Sequence, residues 1–154
     1  MDPSLEVYCN RGTSGIDGST STAVGASIYF NKPTILITGD LSFFYDSNGL
    51  WNRYIRPDFR IILINNSGGG IFRILPGFEE TEEFSTFFET SHQQNAEHLA
   101  QMFQFEYLKA GNEKELGHAL KNVYEPSQRP KILEIFTPRE ANNKILLSYF
   151  DFIS

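Results

Sequence analysis

Two polar pairs, each closing an apolar run, carry the most legible chemistry in this chain: Gly39-Asp40 after Thr34 to Thr38, and Asn65-Asn66 after Arg60 to Ile64. Between Asp40 and Asn65 lie 24 residues, room for a helix and a strand. A βαβ unit of that size in a parallel sheet delivers both pairs to the same carboxyl edge. A carboxylate, a side-chain amide oxygen and a carbonyl of the following glycine-rich run then converge on one point. Hard oxygen ligands, few in number, suit Mg²⁺ or Mn²⁺ with the rest of the shell left to phosphate and water. The pattern reads as a metal–diphosphate anchor.

Four constellations line up at the expected strand ends, two of them built on the pairs above. Asn10 to Gly18 (NRGTSGIDG) has glycines at positions 12, 15 and 18, which permit tight turns and close backbone approach, and a Ser/Thr-rich helix start follows. Such a loop either binds phosphate or merely turns. Within Gly39-Asp40-Leu41-Ser42, Ser42 is placed to donate to a phosphate, while Asp40 alone could equally be a helix N-cap. Asn65 to Gly70 (NNSGGG) is an expensive, flexible loop unless a backbone group must reach a ligand. Ile71-Phe72-Arg73-Ile74-Leu75-Pro76 follows at once; its apolar residues are either core or the wall of a pocket.

Five apolar runs must position these residues: Leu5 to Cys9, Thr34 to Thr38, Arg60 to Ile64, Phe105 to Lys109 and Lys131 to Phe136. Their continuous apolarity predicts strands buried on both faces. Helical spacing lies between them, with Leu99, Met102 and Phe103 on one stripe and Leu116, Ala119, Leu120 and Val123 on another. Asn112 before Glu113 and Glu115 predicts an N-cap. Alternation of the two patterns predicts a single α/β domain over residues 1–154, a three-layer α/β/α sandwich on a mostly parallel sheet. Gly77 to Thr90 breaks the rhythm with five glutamates and four phenylalanines. It reads as a mobile lid or as an exposed acidic helix or loop. His92, His98 and His118 have no metal spacing and read as surface residues, and Trp51 is expected to pack its helix.

At 154 residues, 40% hydrophobic and with 14 phenylalanines, the chain has material for a sizeable core and is not disordered throughout. Its net charge of −6, with no compensating basic run, argues against nucleic acid or an anionic membrane as partner. A lone Cys9 leaves no internal disulfide and no paired-cysteine zinc site, and fits the cytoplasm. No apolar stretch nears the ~20 residues of a membrane span.

The Gly-Asp and Asn-Asn pairs together resemble the thiamine diphosphate-binding motif. NRGTSGIDGSTSTAVG, GDLSFFYDSNGL and NNSGGGIFRILP further resemble the 2-succinyl-5-enolpyruvyl-6-hydroxy-3-cyclohexene-1-carboxylate synthase family of the menaquinone pathway, closely over residues 8 to 76. Leu41 departs from the glycine common after the Gly-Asp pair in thiamine enzymes but matches this family, and Ser67 stands where a third Asn is frequent. The resemblance implies that Asp40, the Asn66 side chain and the Gly68 carbonyl hold Mg²⁺. It places Ser14, Ile16, Gly39, Leu41, Ser42 and Ile71 on the cofactor, Ile16 as the apolar prop beneath its bent form. Arg11 would meet a substrate carboxylate in a bidentate pair, and Ile71, Phe72 and Leu75 would line the substrate pocket. The implied activity is succinyl transfer from 2-oxoglutarate, with loss of carbon dioxide, to isochorismate.

The family's activating glutamate comes from a pyrimidine-binding domain on a neighbouring subunit, and nothing here resembles that domain. Glu79, Glu80, Glu82, Glu83 and Glu89 match no such position, and the family's upstream basic substrate-binding residues are absent too. The chain therefore resembles the carboxyl-terminal, diphosphate-binding domain of a longer homodimeric or homotetrameric enzyme, with no catalytic residue of its own and no activity alone. Three other readings stay open. One is a different thiamine-dependent decarboxylase or carboligase, another a dinucleotide- or flavin-binding domain, although the G-x-G-x-x-G fingerprint is missing. The third is a non-catalytic assembly domain using its Phe-rich surface.

Overall fold

Four parallel strands carry the fold in the computed structural model, which describes residues 4–10, 15–30, 32–75, 77 and 79–153. They are β1 (Thr34–Gly39), β2 (Phe59–Asn65), β3 (Glu106–Ala110) and β4 (Lys131–Phe136), in the order β1-β2-β4-β3. Gly39 is in register with Ile64, and Asn65 with Phe136, so Asp40 and Asn66 leave the sheet side by side at its carboxyl edge. The expected βαβ unit is there, its crossover built from α2 (Asp40–Tyr45) and a 3₁₀ turn over Ser47–Leu50.

One sheet face is covered along its width, and the other over β2, β3 and β4 only, so that β1, expected to be buried on both faces, leaves Ile35 and Ile37 exposed. On one, α1 (Ser19–Phe30), α2 and α3 (Glu97–Met102) enclose Val24, Phe43, Leu50, Phe59, Ile61, Leu63, Ala100 and Ile132. On the other, α4 (Glu113–Tyr124) lays Ala119 and Val123, flanked by Leu116 and Leu120, on Ile62, Ala110 and Leu133. Odd positions of β2 therefore face one layer and Ile62 the other, which is why its apolar run is continuous rather than alternating. The three-layer α/β/α architecture is as expected.

The α4 ends follow their local chemistry. At its start the Asn112 side chain accepts from Glu115 N–H at 3.0 Å, and the Glu115 carboxylate accepts from Gly111 N–H at 2.8 Å. This closes a reciprocal cap over amides the helix itself cannot satisfy. At its end the Lys131 ammonium donates to the Asn122 carbonyl at 2.7 Å, and Arg60 donates to the carbonyls of Val123 and Glu125. Two cations thus meet the negative end of the helix dipole. Finally, α5 (Arg139–Ile153) packs beside a 3₁₀ turn over Gly70–Ile74 and leaves much of its apolar surface exposed.

Several expectations need correction. Leu5 to Cys9 is not a strand: Leu5, Val7 and Tyr8 are exposed, and no ladder forms. An apolar run becomes a strand only where a neighbouring edge offers hydrogen bonds. This one lies instead at the end of α1, where Tyr8 stacks on Phe30 at 6.0 Å and Glu6 pairs with Lys32 at 2.9 Å. Trp51 and Met102 are exposed rather than packed. The acidic segment exposes Glu79, Glu80, Glu82 and Glu83, in line with an exposed acidic helix or loop, and makes a single π-turn, Phe84–Phe88; only its far end departs, where Glu89 is completely buried and acts as an anchor.

Candidate functional site

Asp40 is the first residue of α2 and stands directly on the end of β1. Its side chain is buried, Oδ1 accepting from Leu41 N–H at 2.8 Å and Oδ2 from Gly68 N–H at 3.1 Å. The second bond ties the β1 end to the glycine loop after β2. A carboxylate has about four lone-pair sites, so two remain for other partners. Among the described residues, neither lysine nor arginine pairs with Asp40; the nearest ionisable group is His92, whose Nε2 lies 3.2 Å from Oδ2. Burying a carboxylate without a cation is costly, and an Asp in this state suits a divalent ion.

The loop opposite is shaped by the strand it leaves. The Asn65 side chain is spent on structure: its carbonyl accepts from Ser67 N–H at 3.0 Å, and its amide donates to Glu134 at 2.7 Å and to the Gln94 carbonyl at 2.9 Å. Asn66, the next residue, is half-buried. Its amide nitrogen lies 2.8 Å from where a Cβ at Gly70 would stand, so glycine there gives the Asn66 side chain its space. At Gly68 (φ 152°), a Cβ would meet the Glu89 carbonyl at 2.8 Å, a contact only glycine allows. The Gly68 carbonyl accepts from Gly70 N–H at 3.1 Å, which uses one of its two lone pairs.

Of the residues singled out from the sequence, Asp40, Leu41, Ser42, Gly68 and Ile16 are brought together. Ser42 donates to the Ile16 carbonyl at 2.8 Å, joining the first glycine loop to α2, and a Leu41 methyl group lies 3.3 Å from a Cβ position at Gly69. Gly39 supplies the extended step from strand to helix. Arg11 and Ser14 lie outside the described residues. Ile71 and Leu75 are exposed, and Phe72 turns its ring to Phe88 at 6.0 Å. Among the described residues no three His, Cys, Asp or Glu side chains cluster as a metal site.

Sequence reasoning missed the residues that hold this arrangement. Glu89 is wholly buried; its carboxylate pairs with Arg73 Nε, with Arg73 Nη2 at 2.9 Å and with Arg139 Nη1 at 3.2 Å. Its main-chain carbonyl accepts from Gly69 N–H at 2.6 Å, and His92 N–H donates to the Ser67 carbonyl at 3.2 Å. Residues 89–92 therefore strap the glycine loop from outside. The hydrogen bond to Glu89 raises the Arg73 guanidinium above its ordinary value. Glu134, wholly buried in β4, accepts from Asn65, from Ala96 N–H at 2.9 Å and from the Tyr107 hydroxyl at 2.6 Å. Burial, then that hydrogen bond, pushes the Tyr107 hydroxyl well above the usual phenol range. A glutamate inside the apolar run KILEIF was the one visible signal for this network.

Comparison with known proteins places this geometry in a family. The model of the thiamine pyrophosphate enzyme, C-terminal TPP binding domain, matches residues 2–135. A 2-succinyl-5-enolpyruvyl-6-hydroxy-3-cyclohexene-1-carboxylate synthase of Christiangramia forsetii is 57% identical over 152 residues, 99% of this chain and 26% of that protein. Proteins of the same name from Flavobacterium johnsoniae and Bacteroides thetaiotaomicron are 60% and 41% identical over 97% and 95% of the chain, and 27% of each protein is covered. The chain thus spans about a quarter of the length of these curated relatives. Matched over residues 2–135, the chain belongs to the thiamine pyrophosphate enzymes, through their C-terminal TPP-binding domain.

Proposed function

We propose that this chain supplies the metal–diphosphate half of a thiamine diphosphate site, in an enzyme that transfers a succinyl group from 2-oxoglutarate, with loss of carbon dioxide, to isochorismate. The observation that carries the reading is Asp40: a buried carboxylate, bonded to Gly68 N–H across two adjacent strand ends, with spare lone pairs and no described Lys or Arg beside it. Asp40, the Asn66 amide and the Gly68 carbonyl hold Mg²⁺ or Mn²⁺ in this reading, and Ser14, Ile16, Gly39, Leu41, Ser42 and Ile71 receive the cofactor. The fit is good, since two glycines open the loop just where side chains would fill it. Thiamine diphosphate, when bound, supplies the electron sink that decarboxylation of a 2-oxo acid requires.

The chain's own residues bind and orient. Asp40 fixes the metal, Ile16 props the cofactor, Arg11 takes a substrate carboxylate, and Ile71, Phe72 and Leu75 form an apolar wall that limits water. The activating glutamate belongs to a pyrimidine-binding domain outside residues 1–154, on a neighbouring subunit of a homodimer or homotetramer, so this stretch alone is inactive. Exposed apolar groups support such an assembly, among them Phe152 (87% exposed) on α5 and Ile37 (72%) on the open side of β1. The setting is the cytoplasm; among the described residues no helix is long and apolar enough to cross a membrane.

Calorimetric titration of thiamine diphosphate, with Mg²⁺ and with chelator, tests the reading. Binding that needs Mg²⁺ and disappears in Asp40→Ala supports it. Equal binding by wild type and Asp40→Ala, or succinyl transfer by the isolated 154 residues, would refute the assignment of roles.

A further inference from the structure

We propose that His92 is a positioning residue for the metal site: its imidazole holds the Asp40 carboxylate in the orientation that ligates. The inference rests on Asp40 being the metal ligand proposed above, and goes beyond it by assigning a residue outside every motif of the binding site.

Three observations converge on the ring. Gln94 N–H donates to His92 Nδ1 at 3.1 Å, and a nitrogen that accepts carries no hydrogen. In the neutral ring the hydrogen must then sit on Nε2. Nε2 lies 3.2 Å from Asp40 Oδ2, and the two side chains are only 12% and 4% exposed. The contact falls short of full hydrogen-bond geometry, and Nε2 is buried with no other acceptor. Among the described residues Asp40 is thus the one acceptor this N–H faces. Third, the ring plane is set by an edge-to-face contact with Phe44, centroids 5.5 Å apart at 86°. Phe44 lies on α2, the helix that Asp40 begins. His92 therefore reads the position of that helix on one side and of its carboxylate on the other.

The backbone around His92 is held independently. Its own N–H donates to the Ser67 carbonyl, and Glu89, three residues earlier, accepts from Gly69 N–H while its carboxylate is locked by Arg73 and Arg139. Both ligand-bearing segments, Asp40 and the glycine loop, are consequently referenced to one four-residue strap. Groups that orient metal ligands from outside the coordination sphere carry about 10–100-fold in metal affinity. The Nε2–H tautomer also makes His92 an orienting donor rather than a ligand.

The test uses the protein at its full natural length with Mn²⁺ and thiamine diphosphate, Mn²⁺ affinity being read by electron paramagnetic resonance and thermal midpoints being taken in chelator. His92→Phe keeps a ring against Phe44 and removes the donor; His92→Gln keeps a donor. The expected result is Mn²⁺ binding at least about tenfold weaker in His92→Phe, mostly restored in His92→Gln, with both midpoints in chelator at the wild-type value. Mn²⁺ affinity in His92→Phe within about twofold of wild type, or a Gln variant as weak as Phe, would overturn the proposal. So would a fall in the chelator midpoint of His92→Phe that accounts for the lost affinity, which assigns the ring to packing. Asp40→Ala separates the two readings. If it abolishes binding while His92→Phe does not, only the role of His92 fails; if wild type itself binds no Mn²⁺, both fail.

Discussion

Replacing Glu89 with Gln removes one charge from a cluster with almost no access to water. The Glu89 side chain is 0% exposed and that of Arg73 4%, while Arg139 is 30% exposed and can turn outward. Breaking a buried pair from one side costs about 3–5 kcal/mol, because the remaining charge stays desolvated. Glutamine keeps the shape and one acceptor, and Glu80 still meets Arg73 at 3.2 Å from a more exposed position, so the lower end, about 3 kcal/mol, applies. With a urea slope of about 2 kcal/mol per molar, the unfolding midpoint should fall by about 1.5 M. Removing both charges in Arg73→Met/Glu89→Met should recover most of the loss, since a well-packed apolar pair of similar volume is often neutral relative to the ion pair. Urea unfolding of wild type, Arg73→Met, Glu89→Met and the double completes the cycle, with Glu89→Gln measured beside it. A midpoint in Glu89→Gln within about 0.25 M of wild type, or losses that simply add in the double variant, would refute the account of this cluster as a charge-paired anchor.

Three further outcomes are expected. Gly70→Ala should leave the chelator-state thermal midpoint nearly unchanged yet abolish Mg²⁺-dependent cofactor binding in calorimetry. The new methyl group meets only the movable end of Asn66, at 2.8 Å, and turning that amide away removes the proposed ligand. Tyr107→Phe should cost about 1.5–3 kcal/mol in urea unfolding, the range for a hydrogen bond to a charged group, because Glu134 loses one of its donors. At α4, Gly111 N–H and then the Asn112 side chain hold the Glu115 carboxyl below its ordinary value of 4.5. A depressed folded value means that this stabilisation is present above pH 4.5 and fades as pH falls through the folded value. Stability measured against pH should accordingly be flatter below pH 4.5 in Glu115→Gln than in wild type.

Much of the frame was legible because local rules and tertiary context agree. β1, β2, β3 and β4 coincide with four predicted runs to within a residue or two, and the stripe Leu116, Ala119, Leu120, Val123 is the buried face of α4. Leu5 to Cys9 has the same composition and forms no strand, since composition says nothing of whether an edge is available to pair with. The far end of the acidic segment, at Glu89, misled for a related reason. Glu89 reads as one more solvated glutamate until Arg73 and Arg139, separated from it by 16 and 50 residues, are seen around it.

The sequence by itself determined the alternation of strands and helices, and with it the meeting of Gly39-Asp40 and Asn65-Asn66 at one sheet edge. Periodicity and the parallel crossover suffice for that, both being local or nearly so. Only the tertiary structure decided which of these polar residues are spent on the scaffold and which keep unused hydrogen-bonding capacity. Asn65 is spent on Glu134 and the Ser67 amide, Asp40 retains free lone pairs, and His92 turns from an apparent surface residue into the neighbour of that carboxylate. Such roles depend on burial and on hydrogen bonds between residues far apart in the chain, and residue type and spacing carry neither.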